Sequence, residues 1–235
     1  MAIATNEQSR TSYTLVVGLG VTGISVVRYL REQNHDVVVV DSREQPPGLD
    51  TLREKYPDVP FYSGAFDEAL FLGAQKIIVS PGVPVSEPVI KQAKQQGIQA
   101  IGDIELFALE AKAPIVAITG SNGKSTVTTL VGEMARHAGI NVAVGGNLGT
   151  PALDLLNDSV ELYVLELSSF QLETVNSLKP VAATVLNVSA DHLDRYDSFA
   201  DYARVKQHIY DNCKAAIINR DDFEVGKMSK AQKVV

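Results

Sequence analysis

Two stretches of this 235-residue chain have the residue types and spacing for phosphate chemistry. The stronger is Thr119-Gly120-Ser121-Asn122-Gly123-Lys124-Ser125-Thr126, which follows the apolar run Ile115-Val116-Ala117-Ile118 and precedes a helix-length segment reaching about Gly139. It matches G-x-x-G-K-[ST], the short form of a phosphate-binding loop. The full pattern would need glycine at position 118, where this chain has Ile118. The glycines free backbone N–H groups to cradle phosphate oxygens and the following helix offers its positive end. Lys124 adds a mobile charge, and the Ser125 hydroxyl can ligate Mg²⁺. Chance matches to the short pattern arise in roughly one chain in a hundred, so the spacing predicts a triphosphate site.

The second stretch, Gly18-Leu19-Gly20-Val21-Thr22-Gly23, fits G-x-G-x-x-G. Its first glycine permits a tight turn, its second lets backbone approach a phosphate, and its third lets helix and strand pack closely. Three glycines so spaced occur by chance in roughly one chain in ten, so position carries the argument. The turn lies between a strand at Thr14–Val17 and a helix-length stretch to about Gln33. Asp41 ends the next strand about 20 residues on, where an acid could accept a ribose hydroxyl. Nucleotide binding is expected, the plain alternative being a glycine-rich turn in a flavodoxin-like sheet.

Other polar groups fall at predicted strand ends. Glu166 closes the strand Leu162-Tyr163-Val164-Leu165. In open α/β sheets ligands sit at the carboxyl ends of strands, so Glu166 should share a crevice with Lys124 and serve as a Mg²⁺ ligand; the alternative is a solvated strand-end acid. Beyond the strand from Pro180 to Leu186, His192 sits among acids, suited to a metal or to orienting a substrate, or else purely structural. His35, His137 and His208 lie in a polar turn or in helical stretches. Asn147, in Gly145-Gly146-Asn147-Leu148-Gly149, could bond a sugar or a carboxamide, or belong to a simple tight loop. Phe199 to Asn212 reads as an amphipathic helix, and Lys206 on it is by default a surface charge.

The elements that must position these groups alternate. Strand and helix repeat from Thr14 to Asp41. They continue through the strand Lys76–Val79 into Ser80-Pro81-Gly82, a helix around Glu87–Gln96, a strand at Ile98–Ile101 and a short helix from Asp103 to Glu110. After the linker-like Ala111-Lys112-Ala113-Pro114 the pattern restarts at Ile115. Alternation of this kind predicts mostly parallel sheets. The expected fold class is α/β, a Rossmann-like domain over residues 1–112 followed by a P-loop ATPase domain over 113–235. With 21 Lys+Arg against 28 Asp+Glu the net charge is −7, which does not suit a general nucleic-acid binder. The single cysteine, Cys213, excludes an internal disulfide and reads as a reduced packing residue. Residues 1–12 hold no apolar signal core, and no apolar run approaches the ~18 residues of a membrane span. A cytoplasmic protein without membrane contact is expected.

Together the motifs resemble the Mur ligase family of peptidoglycan synthesis. Gly120 to Thr126, Gly146-Asn147, Glu166-Leu167-Ser168-Ser169-Phe170-Gln171 and Asp191-His192-Leu193-Asp194-Arg195 are similar to its central ATPase domain. Gly18 to Gly23, Ser80-Pro81-Gly82 and Gly102-Asp103-Ile104-Glu105-Leu106-Phe107 resemble its D-glutamate-adding branch. The likeness runs from about Thr14 to Asp222. It implies that ATP phosphorylates the carboxylate of UDP-N-acetylmuramoyl-L-alanine to an acyl phosphate, which the amine of D-glutamate then displaces. By the same resemblance, Gly120, Ser121, Asn122, Gly123, Lys124, Ser125 and Thr126 would bind ATP. Ser125, Glu166, His192 and Lys206 would hold two Mg²⁺ ions, Lys206 as a carbamate formed with CO₂, because a carbamate is an anionic oxygen ligand where an ammonium would repel the metal. Lys124, Glu166, His192 and Lys206 would be the catalytic set.

For the sugar nucleotide, Gly18, Gly20, Val21 and Thr22 would meet the diphosphate. Asp41, Ser42 and Arg43 would lie near the uracil or ribose, Ser80 and Gly82 near the nucleotide, and Asn147 and Ser168 at the muramoyl-alanine end. The resemblance also implies a monomer and a further carboxyl-terminal domain with no counterpart here. It makes this chain an amino-terminal portion with an incomplete ATPase domain, expected to be inactive alone. Val234-Val235 would begin a further strand. The alternatives are an NAD-linked dehydrogenase, which leaves Lys124-Ser125 unexplained, a non-catalytic nucleotide-binding module, and another Mur ligase or a folylpolyglutamate synthase.

Overall fold

Runs of four or five β-branched and apolar residues recur along the chain, and each is buried on both faces, as strands sandwiched between helices must be. A computed structural model describes residues 12–191 and 194–228. By contacts it divides into two units. One runs to Ile78 and includes Ser86–Ala100, and the other takes Val79–Val85 and the chain from Ile101 onward.

The first unit, with the last residues of β4 and β5 assigned to the second, alternates β1 (Thr14–Val17), α1 (Val21–Glu32), β2 (Val37–Asp41), α2 (Leu49–Lys55), β3 (Phe61–Ser63), α3 (Glu68–Gly73), β4 (Lys76–Val79), α4 (Pro88–Gln95) and β5 (Gln99–Gly102). Its five strands are ordered β3-β2-β1-β4-β5. β1 pairs in parallel with β2, Thr14 opposite Val37 and Val17 opposite Val40, and β2 with β3. This is the order of a mononucleotide-binding sheet, in which β1 is central and the strands proceed outward in both directions. Leu15, Val16 and Val17 are wholly buried, as are Val26 and Val27 of α1.

The second unit comprises α5 (Asp103–Glu110), β6 (Ile115–Thr119), α6 (Lys124–His137), β7 (Val142–Gly146), β8 (Leu162–Glu166), α7 (Ser169–Leu172), β9 (Ala182–Val185), α8 (Phe199–Gln207), β10 (Ala216–Ile218) and α9 (Phe223–Gly226). The strand order is β10-β9-β6-β8-β7. β6 is flanked by β8, with Ile118 opposite Glu166, and by β9, with Thr119 opposite Val185, all in parallel. The register places the ends of three strands, and the loops that leave them, at one edge of the sheet. The helix expected from Phe199 to Asn212 is shorter: α8 stops at Gln207 and the chain tightens into a 3₁₀ turn over His208–Tyr210. Val234-Val235, expected to begin a strand, lies outside the described residues. Among the described residues no helix is long and apolar enough to cross a membrane. Cys213 is a free, partly buried thiol whose pKa is raised chiefly by burial.

β7 ends where only glycine fits. Gly146 has φ +99°, and a Cβ there would lie 2.4 Å from the Glu166 carbonyl oxygen. That close approach lets the next N–H, of Asn147, bond the same carbonyl at 2.8 Å. Gly146→Ala is expected to lose about 3 kcal/mol or more of folding stability, combining a strained backbone with a backbone clash. Urea unfolding checks this, and a loss below about 1 kcal/mol would show that β7 and β8 can separate freely.

Candidate functional site

The loop between β6 and α6 is held open at its centre and clamped at its side. Gly120 has φ +159° and Gly123, the residue before α6, is left-handed at φ +80°. Among the described residues the first turn of α6 has neither a side-chain cap nor an acidic residue. Its orphan N–H groups and positive dipole end are therefore available to an anion. The clamp comes from the end of β9. Ser121 N donates to the Asn187 carbonyl at 3.0 Å. The Asn187 side chain accepts from Asn122 N at 2.8 Å and donates to Asn122 O at 3.0 Å. Ser121 Oγ accepts from Ser189 N and donates to Ser189 O, and it lies 3.1 Å from the Tyr202 hydroxyl. A flexible glycine loop thus receives a fixed shape from side chains 65 or more residues away.

Two amines meet on this loop. Lys124 Nζ donates to the carbonyls of Gly120 at 2.9 Å and Ser121 at 3.0 Å. Lys206 Nζ reaches the same Gly120 oxygen at 3.0 Å, with Thr119 Oγ1 at 3.5 Å and the Tyr202 ring centre at 4.7 Å. Lys206 is 2% exposed, so its default as a surface charge does not hold: α8 turns this residue inward against β6. Burial, and then the neighbouring Lys124 charge, lower its pKa from the ordinary 10.5 to about 7, against a smaller opposing pull from Asp191. A substantial fraction of neutral amine, a nucleophile, is present at neutral pH.

Glu166 is 2% exposed, which excludes the solvated strand-end acid. Its Oε1 accepts from Asn147 Nδ2 at 2.7 Å, and its Oε2 has no hydrogen-bond partner among the described residues. A buried carboxylate oxygen without a donor is expensive unless a cation or donor completes it. That oxygen, at the strand end paired with Ile118, and the exposed Ser125 hydroxyl in the first turn of α6 are oxygen donors of the kind that suit Mg²⁺. The carboxamide of Asn147 thus serves Glu166. Ser168 begins α7 in a capping box with Gln171. Among the described residues no group of three or more His, Cys, Asp or Glu side chains could hold a metal. His192 lies outside them.

In the first unit the glycine turn leads into α1, whose first turn likewise has no side-chain cap or acid among the described residues. Gly18 takes φ +92°, and its N–H continues the sheet to Val40 O. Asp41 is 3% exposed. Its Oδ2 accepts from Leu19 N at 2.7 Å and Arg43 Nη2 at 2.7 Å, and its Oδ1 accepts from Arg43 N and Nε, both at 2.9 Å. Burial pushes the Asp41 pKa up, but the Arg43 guanidinium and the two backbone N–H groups outweigh it and hold the carboxyl below its ordinary value. Four donors fill the four acceptor positions of a carboxylate. In this arrangement Asp41 shapes the turn and holds Arg43.

Gly18, Gly20, Val21, Thr22, Asp41, Ser42 and Arg43 therefore fall in the first unit. Ser80 and Gly82, on the segment following β4, fall in the second with Gly120–Thr126, Asn147, Glu166, Ser168 and Lys206. Sequence reasoning missed Asn187, Ser189 and Tyr202, which shape the phosphate loop. The only signal for them was position: two follow an expected strand end, and Tyr202 precedes Lys206 by one helical turn.

Known proteins resemble the chain over most of its length. Residues 12–102 match the family described as Mur ligase MurD-like, N-terminal domain, and residues 118–235 match the Mur ligase middle domain. A protein of Marinobacter nauticus named UDP-N-acetylmuramoylalanine–D-glutamate ligase is 63% identical over 209 residues, covering 89% of this chain and 47% of its own length. The protein of the same name from Pseudomonas aeruginosa is 57% identical over 210 residues, again 89% and 47%. The chain spans about half the length of the curated relatives it matches. Among solved structures, the UDP-N-acetylmuramate:L-alanyl-gamma-D-glutamyl-meso-diaminopimelate ligase of Neisseria meningitides aligns with TM-score 0.64 at 15% identity, covering 95% of this chain and 77% of that one. The UDP-N-acetylmuramate-alanine ligase of Thermotoga maritima aligns with TM-score 0.56 at 19% identity, covering 94% and 52%. At these identities the structures speak for the fold alone.

Because the folded pKa of Lys206 lies below its unfolded value, the unfolded chain holds a proton that the folded chain releases between pH 7 and about 10. The stability penalty from Lys206 is complete below that window and is relieved as pH rises through it, by on the order of 1 kcal/mol per pH unit. Lys206→Met should remove this rise. Urea unfolding of both proteins from pH 7 to 9 reads the difference, and parallel curves would contradict the buried, neutral amine.

Proposed function

The chain belongs to the Mur ligase family, and on that premise we propose that it carries the sugar-nucleotide and ATP sites of a ligase joining D-glutamate to UDP-N-acetylmuramoyl-L-alanine. The observation that carries this reading is the phosphate loop standing beside a buried carboxylate, Glu166, one of whose oxygens lacks a donor among the described residues. That pairing suits a triphosphate with its metal.

A carboxylate is a poor electrophile, and transfer of the ATP γ-phosphoryl group to it creates a leaving group that an amine can displace. Such transfer is mostly positioning and charge neutralisation. The open N–H groups of the loop and of the first turn of α6 bind phosphate oxygens. Lys124, which rests on the carbonyls of Gly120 and Ser121, needs only a side-chain rotation to exchange them for β/γ-phosphate oxygens. Mg²⁺, when bound, neutralises charge on the phosphates; Glu166 Oε2 and Ser125 Oγ would hold it, with Asn147 fixing the Glu166 carboxylate. His192 is assigned to a second ion by family likeness. For Lys206, the neutral amine attacks CO₂ and loses one proton, which leaves an anionic carbamate able to ligate metal where an ammonium would repel it.

In the first unit, the open N-terminus of α1 at Gly20, Val21 and Thr22 suits a diphosphate. The Arg43 side chain, anchored through Nε and Nη2 to Asp41 and about half exposed, suits the nucleoside. Ser80, Gly82 and Ser168, in the second unit, are assigned to the sugar nucleotide by family likeness alone.

Calorimetry of the chain tests it directly, with separate titrations of UDP-N-acetylmuramoyl-L-alanine, a non-hydrolysable ATP analogue with Mg²⁺, and NAD. The first two should bind, and Lys124→Ala should weaken the ATP analogue about 100-fold, equivalent to about 3 kcal/mol; NAD binding without sugar-nucleotide binding would reverse the assignment. Independently, incubation with ¹³C-bicarbonate should give a carbamate resonance that Lys206→Ala abolishes, and a spectrum unchanged by that substitution would remove Lys206 from the metal set.

A further inference from the structure

The run Gly102 to Phe107 has a structural task that the reading above leaves unexplained. It forms the start of α5, and its two acids face inward: Asp103 is 3% and Glu105 4% exposed. Both act on the segment that follows Glu166. Glu105 Oε2 accepts from Asn176 N at 2.7 Å and Ser177 N at 2.8 Å, a plain backbone anchor. Asp103 acts closer to the site. Its Oδ2 accepts from Gln171 Nε2 at 3.2 Å, while its Oδ1 has no partner among the described residues. Gln171, itself 3% exposed, accepts at Oε1 from Ser168 N at 3.1 Å and Ser168 Oγ at 3.3 Å, and its own N donates back to Ser168 Oγ at 3.2 Å. Contact between the two helices is direct. A Cβ on Gly102 would lie 2.1 Å from Thr174 Oγ1, whose hydroxyl donates to the Gln171 carbonyl.

An amide has one acceptor and one donor end, and only one orientation of Gln171 suits both neighbours. Its Nε2 must face Asp103 and its Oε1 must face the Ser168 N–H. Flipped, it would set oxygen against carboxylate and NH₂ against N–H. Burial raises the Asp103 pKa to about 6, partly offset by Gln171 and nearby backbone N–H groups, so at neutral pH the group is mostly an anion and a pure acceptor. Leu167, between Glu166 and Ser168, is tied to the phosphate-loop strand through Leu167 N to Ile118 O and Thr119 Oγ1 to Leu167 O. Ser168 is therefore the first residue to leave the sheet after Glu166, and its direction is fixed by Gln171.

We propose that Asp103 is a positioning residue for the phosphoryl-transfer site, acting through Gln171 on Ser168 to hold the chain as it departs from Glu166. This rests on the metal role assigned to Glu166 above. The test uses this chain with Mn²⁺ as probe and a non-hydrolysable ATP analogue. Three quantities are read for each protein: Mn²⁺ affinity, thermal midpoint, and metal-free amide exchange over residues 166–172. Asp103→Asn, nearly isosteric, puts a donor opposite Gln171 Nε2. It should weaken Mn²⁺ about tenfold and speed exchange at 168–172. Adding Gln171→Glu to that variant restores an acceptor between the new carboxamide and Ser168 and should recover most of the affinity. Glu105→Gln should lower the thermal midpoint while leaving Mn²⁺ affinity unchanged. Wild-type affinity and exchange in Asp103→Asn overturn the proposal, as does an equal Mn²⁺ loss in Glu105→Gln, which would mark both acids as general braces. Should Asp103→Asn fail to fold, Gln171→Met must show the same weakened Mn²⁺ binding, and a folded Gln171→Met with wild-type affinity overturns the proposal. Absence of Mn²⁺ and analogue binding by the unsubstituted chain defeats the functional reading itself, and the positioning role with it.

Discussion

The carbonyl oxygen of Gly120 accepts from two lysine amines, and much of the second unit follows from that meeting. Burial, and after it repulsion from the second ammonium, makes the Lys206 amine easier to deprotonate. Lys206 reaches that oxygen from the buried face of α8, which also carries Tyr202 and Ala203. Tyr202 then meets Ser121, and Asn187 and Ser189, which follow β9, hook the phosphate loop from the side. A loop chosen for backbone freedom would lose that freedom on binding at an entropic cost. The clamp removes most of it beforehand, which is the physical content of a preorganised anion site.

The two units solve one problem with different parts. In each, a strand ends in glycines and a helix begins without cap or acid among the described residues. In the first unit a carboxylate, Asp41, accepts the turn's N–H from Leu19, which suits a site where the turn itself is not the charge-bearing cradle. An acid in that role beside the phosphate loop would compete with the ligand. There the corresponding N–H, from Asn122, goes instead to the neutral carboxamide of Asn187. Sheet order differs accordingly. β1 sits next to β2, whereas β6 sits between β8 and β9, so two strand ends, one bearing Glu166 and one bearing Asn187, border the phosphate loop.

Legibility in the sequence tracked burial. β1, β2, β4 and β6 are apolar runs because both faces are covered, and runs of that type announce themselves. β3 did not: Phe61–Ser63 is three residues long, none of them buried, with nothing to distinguish it from a loop. α2 and α3, of seven and six residues, are too short for helical periodicity to register. At the site, the phosphate loop and Glu166 were legible from glycine spacing and strand-end position. The inward turn of Lys206 was not, because a helix pattern containing one lysine predicts an exposed charge unless its partner is known, and the partner here is a backbone carbonyl 86 residues away. Asp103 and Glu105 mislead in the same way. Acids in the first turn of a helix usually face solvent and complement the dipole, and only the hydrogen-bonding needs of residues 168–177 explain their burial.

How a chain of net charge −7 can present two anion sites follows from the placement of its acids. Coulomb attraction from overall charge acts against it, so the sites depend on oriented dipoles at short range. The first turns of α1 and α6 carry no acidic residue, as is also true of α4 and α7, whereas those of α2, α3, α5, α8 and α9 each carry at least one. The acids that do lie near the sites are neutralised by specific donors or left open for a cation. Asp41 is saturated by Arg43 and backbone N–H groups, and Glu166 is half-satisfied by Asn147. The repulsion a phosphate would feel is thus removed locally, and the remaining negative charge can serve solubility without opposing the ligand. A mild acidic excess is compatible with phosphate recognition when the selectivity of the site is set by backbone N–H groups and paired side chains, because those interactions decay within one helical turn and do not sum over the surface.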